Sequence, residues 1–173
     1  MIYETNRLDT REMATDDLGA LSKLLQDSEV MTAYEHAFSE EETYDWLNRQ
    51  FDRYRTDGHG LWAVILKETG EMVGQCGITI QDYRDTKVHE IGYLFQKEHW
   101  HKGYAIEAAA GSKKYAFEVL KLKSICSIIR NTNIASMNVA IRNGMVVRDI
   151  FIKHYYGMDM PHFLFAVENS ATI

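Results

Sequence analysis

HWHKGYAIEAAAG, residues 99–111, is the stretch on which the reading of this chain turns. Two histidines, a tryptophan and a lysine crowd one glycine, and an alanine-rich run follows. A metal site, a basic patch, a plain strand-to-helix turn and a cradle for phosphate compete for it. His99 and His101 stand only two apart, with no Cys or acidic partner at ligand spacing, and His89 adds just a third imidazole, so no metal is expected. Walker A and the Rossmann G-x-G-x-x-G are both absent. A loop that leaves a buried strand and enters a helix aims several free backbone N–H groups at one spot. Gly103 lets that backbone approach a ligand closely, and Ala105, Ala108 and Ala109 keep the first turns thin. Lys102 and His101 add positive charge beside the helix's positive end, where a pyrophosphate fits. Taken by itself, the segment reads better as a tight turn with Gly for geometry and Ala for propensity.

Working outward, VHEIGYLFQ (88–96) is apolar on both faces, the pattern of a central strand, and a helix follows from Gly103 to Leu120. Upstream, LWAVILK (61–67) and MVGQCGITI (72–80) flank ETGE, a hairpin signal with Gly70. RLDTRE (7–12) alternates as a short strand, and Asp16 or Asp17 caps a helix with Leu18, Leu21, Leu24 and Leu25 on one face. Ser39 and Glu42 form a capping box for a second helix through Trp46, Leu47 and Phe51. Downstream come KSICSIIR (123–130) as a buried strand and a helix over 133–143 that stops at Asn143-Gly144. VVRDIFIK and HFLFAVE close the chain as a hairpin through YYGMDMP. The order predicts an α/β (α+β) fold. Six to seven mostly antiparallel strands form one mixed sheet with about four helices, in a single domain over 1–173.

Composition bounds the function. The chain has 173 residues, 46% of them hydrophobic and 25% charged, with a net charge of −6. That balance belongs to an ordinary globular domain and argues against a general nucleic-acid binder. An acidic surface suits a cationic small molecule or a basic peptide better. Cys76 and Cys126 sit inside apolar runs and read as core residues rather than a disulfide framework. The charged N-terminus lacks a signal-peptide core, and no apolar stretch approaches the roughly 20 residues of a membrane span. A cytoplasmic location without membrane or nucleic-acid partners is therefore expected.

EIGYLFQKEHWHKGYAIEA followed by NTNIASMNVAIRNGM resembles the GNAT N-acetyltransferases, in particular the branch of the ribosomal-protein N-terminal acetyltransferases. RLDTREMATDDLGAL resembles that branch's first strand and helix, so the resemblance spans nearly the whole chain. The family signature Gln/Arg-x-x-Gly-x-Gly/Ala reads here Trp100-His-Lys-Gly103-Tyr-Ala105, with His101 where the branch usually has Gly. The resemblance implies acetyl-CoA as donor, its pyrophosphate on the N–H groups of His101, Lys102, Gly103, Tyr104 and Ala105. It implies a pantetheine arm along Tyr93, Leu94 and Phe95, paired with the backbone of Tyr93 and Phe95 in a gap beside SICSII. It also places Asn133 on the cofactor, and Arg142 either on a cofactor phosphate or as a solvated cation at a helix end.

Acetyl transfer to an amine needs a proton acceptor and a proton for the departing thiolate. Glu90 shares a strand face with Val88, Gly92 and Leu94, an odd place for a carboxylate, and reads as the base or as an anchor for the substrate's ammonium. Many family members carry a Tyr acid where this chain has Ala140. Ser136 reads as its replacement or as a capping hydroxyl. The acceptor pocket is expected from VMTAYEHAFS and IFIKHYYGMDM, lined by Tyr34, Glu35, His36, Tyr155 and Tyr156, aromatic edges with a carboxylate that suit a cationic amine. Two functions remain: an acetyl-CoA-dependent N-acetyltransferase acting directly on a peptide N-terminus or small amine, and a degenerate acyl-CoA-binding sensor. The closing hairpin also offers strands that pair across a homodimer.

Overall fold

The computed structural model describes residues 1–155 and 157–169. Strands β1 (Tyr3–Glu4) and β2 (Leu8–Arg11) lead into helices α1 (Leu18–Leu25) and α2 (Glu40–Thr56). Then follow β3 (Leu61–Leu66), β4 (Met72–Tyr83), β5 (Thr86–Phe95), α3 (Tyr104–Glu118), β6 (Ser124–Arg130) and α4 (Ile134–Arg142). The hairpin of β7 (Val146–Tyr155) and β8 (Met158–Glu168) ends the described chain. One sheet runs β1-β2-β3-β4-β5-β6-β8-β7, and every neighbouring pair is antiparallel except β5 with β6. The mixed, mostly antiparallel architecture is as expected. The eighth strand is β1, whose two residues are too few to show alternation.

Local chemistry sets most boundaries. Ser39 Oγ accepts the Glu42 N–H at 3.1 Å while Glu42 Oε2 accepts the Ser39 N–H at 2.8 Å, the reciprocal box that opens α2. Asp17 precedes α1 but does not cap it with its side chain. Its carboxylate instead takes Arg11 at 2.7 and 2.8 Å and the Ala14 N–H at 2.8 Å, because a buried carboxylate gains more from a guanidinium fork. The β4–β5 hairpin runs past the expected ends to Tyr83 and Thr86, with Arg84 at φ 50 in the turn. QDYRDTK is polar, so its strand character was not legible as hydrophobic alternation.

Each sheet face carries its own core. Trp62, Ile78, Ile91 and Ile125 pack under α3 and α4, while Leu61 and Ala63 pack with Leu21, Leu25, Trp46 and Leu47 of α1 and α2. Truncating a fully buried leucine such as Leu47 removes about 2–5 kcal/mol. Both cysteines are buried and unpaired. Among the described residues, no helix is long and apolar enough to cross a membrane and no group of three or more His, Cys, Asp or Glu is placed to hold a metal.

Candidate active site

The parallel neighbours β5 and β6 share a single pair, Glu90 with Cys126. Ser127 Oγ donates to the Ile91 carbonyl at 2.9 Å and Cys126 Sγ to the His89 carbonyl at 3.3 Å, so the odd-numbered residues of β5 aim their backbone at β6. By the same period, Tyr93 and Phe95 turn their backbone toward the β6 side, beyond the one paired position, where the strands leave a gap. The Phe95 carbonyl is already taken by Trp100 Nε1 at 2.8 Å. Leu94 pairs toward Gln75 of β4 and packs its side chain under the α1–α2 core, so its backbone cannot line the gap.

The gap leads to the loop before α3. His101 stands at φ 60 and Gly103 at φ 81. Two left-handed residues so close together turn successive N–H groups toward one side. Among the described residues, no acceptor takes the backbone N–H groups of residues 101 to 106. His101 occupies a backbone well that glycine enters freely, at a cost of about 1–2 kcal/mol for an L residue. Tyr104 is buried beneath the Arg7 guanidinium, 4.6 Å from the ring centroid.

Arg7 and Glu107 brace this loop, and the sequence reading missed both. Arg7 donates to the Lys102 carbonyl at 2.9 Å and to Glu107 Oε2 at 2.7 Å. Glu107 Oε1 accepts the Thr5 hydroxyl at 2.7 Å and the Arg7 N–H at 2.8 Å. Burial works against the Glu107 carboxylate, but these donors outweigh it and hold its pKa below the ordinary value. Arg7 lies almost a hundred residues upstream, and no local pattern couples it to the loop.

Glu90 stands at the joint itself. Its Oε1 accepts the Ile128 N–H at 2.9 Å, a strand donor left over where β5 and β6 diverge. The residue is half-buried, and its carboxyl is surrounded by protein. Burial pushes its pKa up, against the Ile128 N–H and the charges of Lys153 and Arg53. A buried carboxyl with a raised pKa beside an open gap is a candidate for proton transfer.

Pairing register puts Glu90, Arg130, His162, Lys153 and Tyr155 on one face of the sheet, because cross-strand partners share a face. Tyr34 covers that face from the α1–α2 connection, its ring edge-on to Trp46 at 5.8 Å. Glu35 forms an ion pair with Arg130, both side chains about three-quarters buried. Tyr155 hydroxyl lies 3.4 Å from His162 Nε2, and His162 Nδ1 lies 2.8 Å from the Met160 carbonyl. Burial lowers the His162 pKa, so the neutral ring donates through Nδ1 and accepts through Nε2. His36 Nε2 pairs with Glu42 Oε1 at 2.9 Å, at the start of α2. Tyr156 lies outside the described residues. Arg53, Arg130, Lys153 and His162 belong to this cleft too; scattered through a helix and three strands, they offered no motif.

Residues 7–146 match the acetyltransferase (GNAT) domain family. The chain belongs to the GNAT acetyltransferases. It is 37% identical over 142 residues to YkkB, an uncharacterized protein of Bacillus subtilis, covering 82% of this chain and 83% of that one. It is 31% identical over 154 residues to YnaD, an uncharacterized N-acetyltransferase of the same organism, covering 88% and 87%. A GNAT-family acetyltransferase structure from Bacillus anthracis superposes with TM-score 0.80 at 28% identity, covering 95% and 96%. The spermidine N-acetyltransferase of Vibrio cholerae, in complex with CoA and spermine, shares the fold with TM-score 0.77 at 17% identity, covering 96% and 98%.

On this N-acetyltransferase the remaining expected residues take unequal places. Asn133 caps α4, its Oδ1 accepting the Ser136 N–H at 3.1 Å, which leaves only its amide NH2 for a ligand. Ser136 sits in the first turn of α4, and its carbonyl accepts the Tyr93 hydroxyl at 2.8 Å across the gap. Arg142 is exposed in the last turn of α4.

Proposed function

We propose that this acetyltransferase binds acetyl-CoA in the β5–β6 gap and transfers the acetyl group directly to a primary amine, on a peptide N-terminus or a small molecule. The observation that carries the reading is the joint. One enclosed carboxyl, Glu90, stands where the gap opens, and a run of unsatisfied backbone N–H groups stands near its far end. The family's donor carries a pyrophosphate, which suits those amides and the braced turn around Gly103. Gly103 stands at φ 81, a conformation that L side chains rarely adopt, so a glycine fits this turn where a side chain would strain it.

Acetyl-CoA supplies an activated thioester. In the transfer, the amine nitrogen forms a bond to the acetyl carbon, the carbon–sulfur bond breaks, and CoA leaves as a thiolate that takes a proton from solvent. Glu90 takes the proton that the nitrogen sheds, and its raised pKa matches that task. Tyr93, tied to the Ser136 carbonyl, fixes the spacing of α4 against β5, so the gap is held open before any ligand enters. The competing reading, a CoA-binding module without turnover, has one observation in its favour: Ala140, at the family's tyrosine position, is buried and carries no proton.

Release of CoA thiol, measured with acetyl-CoA and a panel of small amines and N-terminal peptides, tests the proposal. Turnover on at least one acceptor is expected. Tight CoA binding with no turnover on any acceptor would establish the binding module instead.

A further inference from the structure

We infer that the acceptor carries an anionic group, a carboxylate or a phosphate, held by Arg53, Arg130 and Lys153 while its amine faces Glu90. The inference rests on the reading above that this cleft receives the acceptor. Composition suggested the reverse, since the chain is acidic overall, with a net charge of −6. The cleft inverts that sign.

The register places Arg130 and Lys153 on the same sheet face as Glu90, and Arg53 reaches that face from α2. Arg53 is anchored: its Nη1 donates to Gln50 Oε1 at 3.2 Å, and Gln50 is itself buried and takes the Leu61 N–H at 3.1 Å. Among the described residues, neither Arg53 nor Lys153 forms an ion pair, although both are half-buried. Of the carboxylates nearby, Glu35 is paired with Arg130 and Asp149 of β7 is held by Arg84 and Tyr83, so Glu90, which also accepts the Ile128 N–H, is left to face both cations. Asp57 is exposed at the end of α2, and His162 is kept neutral.

Three cations thus face two carboxylates in a partly desolvated pocket. A half-buried cation without a partner is costly, and an incoming carboxylate or phosphate relieves that cost at two residues at once. A second ammonium on the acceptor would meet the same cations unscreened. The pocket therefore selects by repulsion as much as by attraction. Tyr34 and Tyr155 supply edges for the carbon chain between the acceptor's two ends.

Matched acceptors test this. One set is butylamine, 1,4-diaminobutane, 4-aminobutyrate and 3-aminopropylphosphonate; the other is a pair of hexapeptides with Asp or Lys at the second position. Each is assayed for kcat/KM with the wild type and with Lys153→Glu and Lys153→Met. The anionic member of a set should be favoured over its cationic counterpart by about tenfold or more, and the ratio of carboxylate to phosphonate tells which anion fits. Lys153→Glu should reverse that preference mainly through KM, and Lys153→Met should fall between.

A wild type that favours the diamine and the Lys peptide overturns the inference, as does a preference that Lys153→Glu leaves unmoved. If no acceptor is acetylated, the proposed transfer itself fails, and calorimetric titration of the CoA-loaded protein with the same compounds decides the present point. Tighter binding of the anionic members upholds it; equal or no binding overturns it.

Discussion

At Glu90, one carboxyl has two tasks with opposite electrostatic demands. It caps the Ile128 N–H, which favours the charged form, and it lies in an enclosed site, which favours the neutral one. Burial wins and the pKa is raised. A group whose folded pKa exceeds its unfolded value stabilises the fold fully below the unfolded pKa and loses that contribution as pH rises through the folded one. Glu90→Gln keeps the shape and an oxygen for Ile128 but removes the titration. The melting temperature of Glu90→Gln relative to wild type should therefore rise with pH, from ordinary glutamate values up to the elevated pKa, and then level off. Each pKa unit of elevation corresponds to about 1.4 kcal/mol, and each kcal/mol to about 2–4 °C in a chain of this size. The same variant should lose about 10²–10⁴ in kcat, together with the acidic limb of the pH profile. A flat melting difference across pH 4 to 9 would show that Glu90 is not desolvated. A full rate at saturating amine with an unchanged profile would leave water as the base.

At the scale of the element, the loop into α3 depends on a partner far away in the chain. Arg7 spans the Lys102 carbonyl, the Glu107 carboxylate and the Tyr104 ring, so it holds the turn from outside. Arg7→Ala should leave the sheet folded but loosen the loop, raising the Kd for CoA by about tenfold, in keeping with 1–2 kcal/mol of lost charge-assisted hydrogen bonding. Calorimetric titration measures it, and an unchanged Kd would mean that the turn holds its shape unaided. This dependence shows what sequence carries and what it does not. Gly103, the alanines behind it and the Ser39–Glu42 box were legible because their physics is local, confined to one turn or one cap. The β5–β6 gap was legible only through resemblance to a family, since no period or spacing records where two strands part. The brace at Arg7 and the cationic floor of the cleft were not legible at all: their members meet through tertiary packing, and each alone reads as a solvated charge. The same limit applies to Leu94, whose apolar neighbours along β5 said nothing about which strand its backbone would face.

At the scale of the molecule, the sheet is two unequal sections fastened at one joint. Strands β1 to β5 form a continuous antiparallel ladder, and β6, β8 and β7 form another. Between them stand the Glu90–Cys126 pair and the side-chain ties of Glu90, Ser127 and Cys126. Beyond the hairpin end of that joint, Tyr83 and Arg84 reach across to Asp149. On the helix side, Asn143 Nδ2 donates to the Ala109 carbonyl at 3.1 Å and ties α4 to α3. The stretch from Tyr93 to Phe95 has no such tie to β6, so a ligand lying there would act as the missing strand between the two ladders. Saturation at about 100 times Kd would stabilise the folded chain by about 2.7 kcal/mol. Hydrogen exchange with and without CoA should then show a local pattern laid over that global gain. The N–H groups of Tyr93, Phe95 and residues 101–106 should slow most, while β1 and β2 should change only as much as global unfolding requires. Uniform protection along the whole chain would mean that CoA stabilises without occupying the gap. Protection confined to α1 and α2 would move the donor to the other face of the sheet. Slowing at β5 and the loop together is the outcome that a ligand bridging the two ladders demands, because only that position satisfies the backbone groups of both.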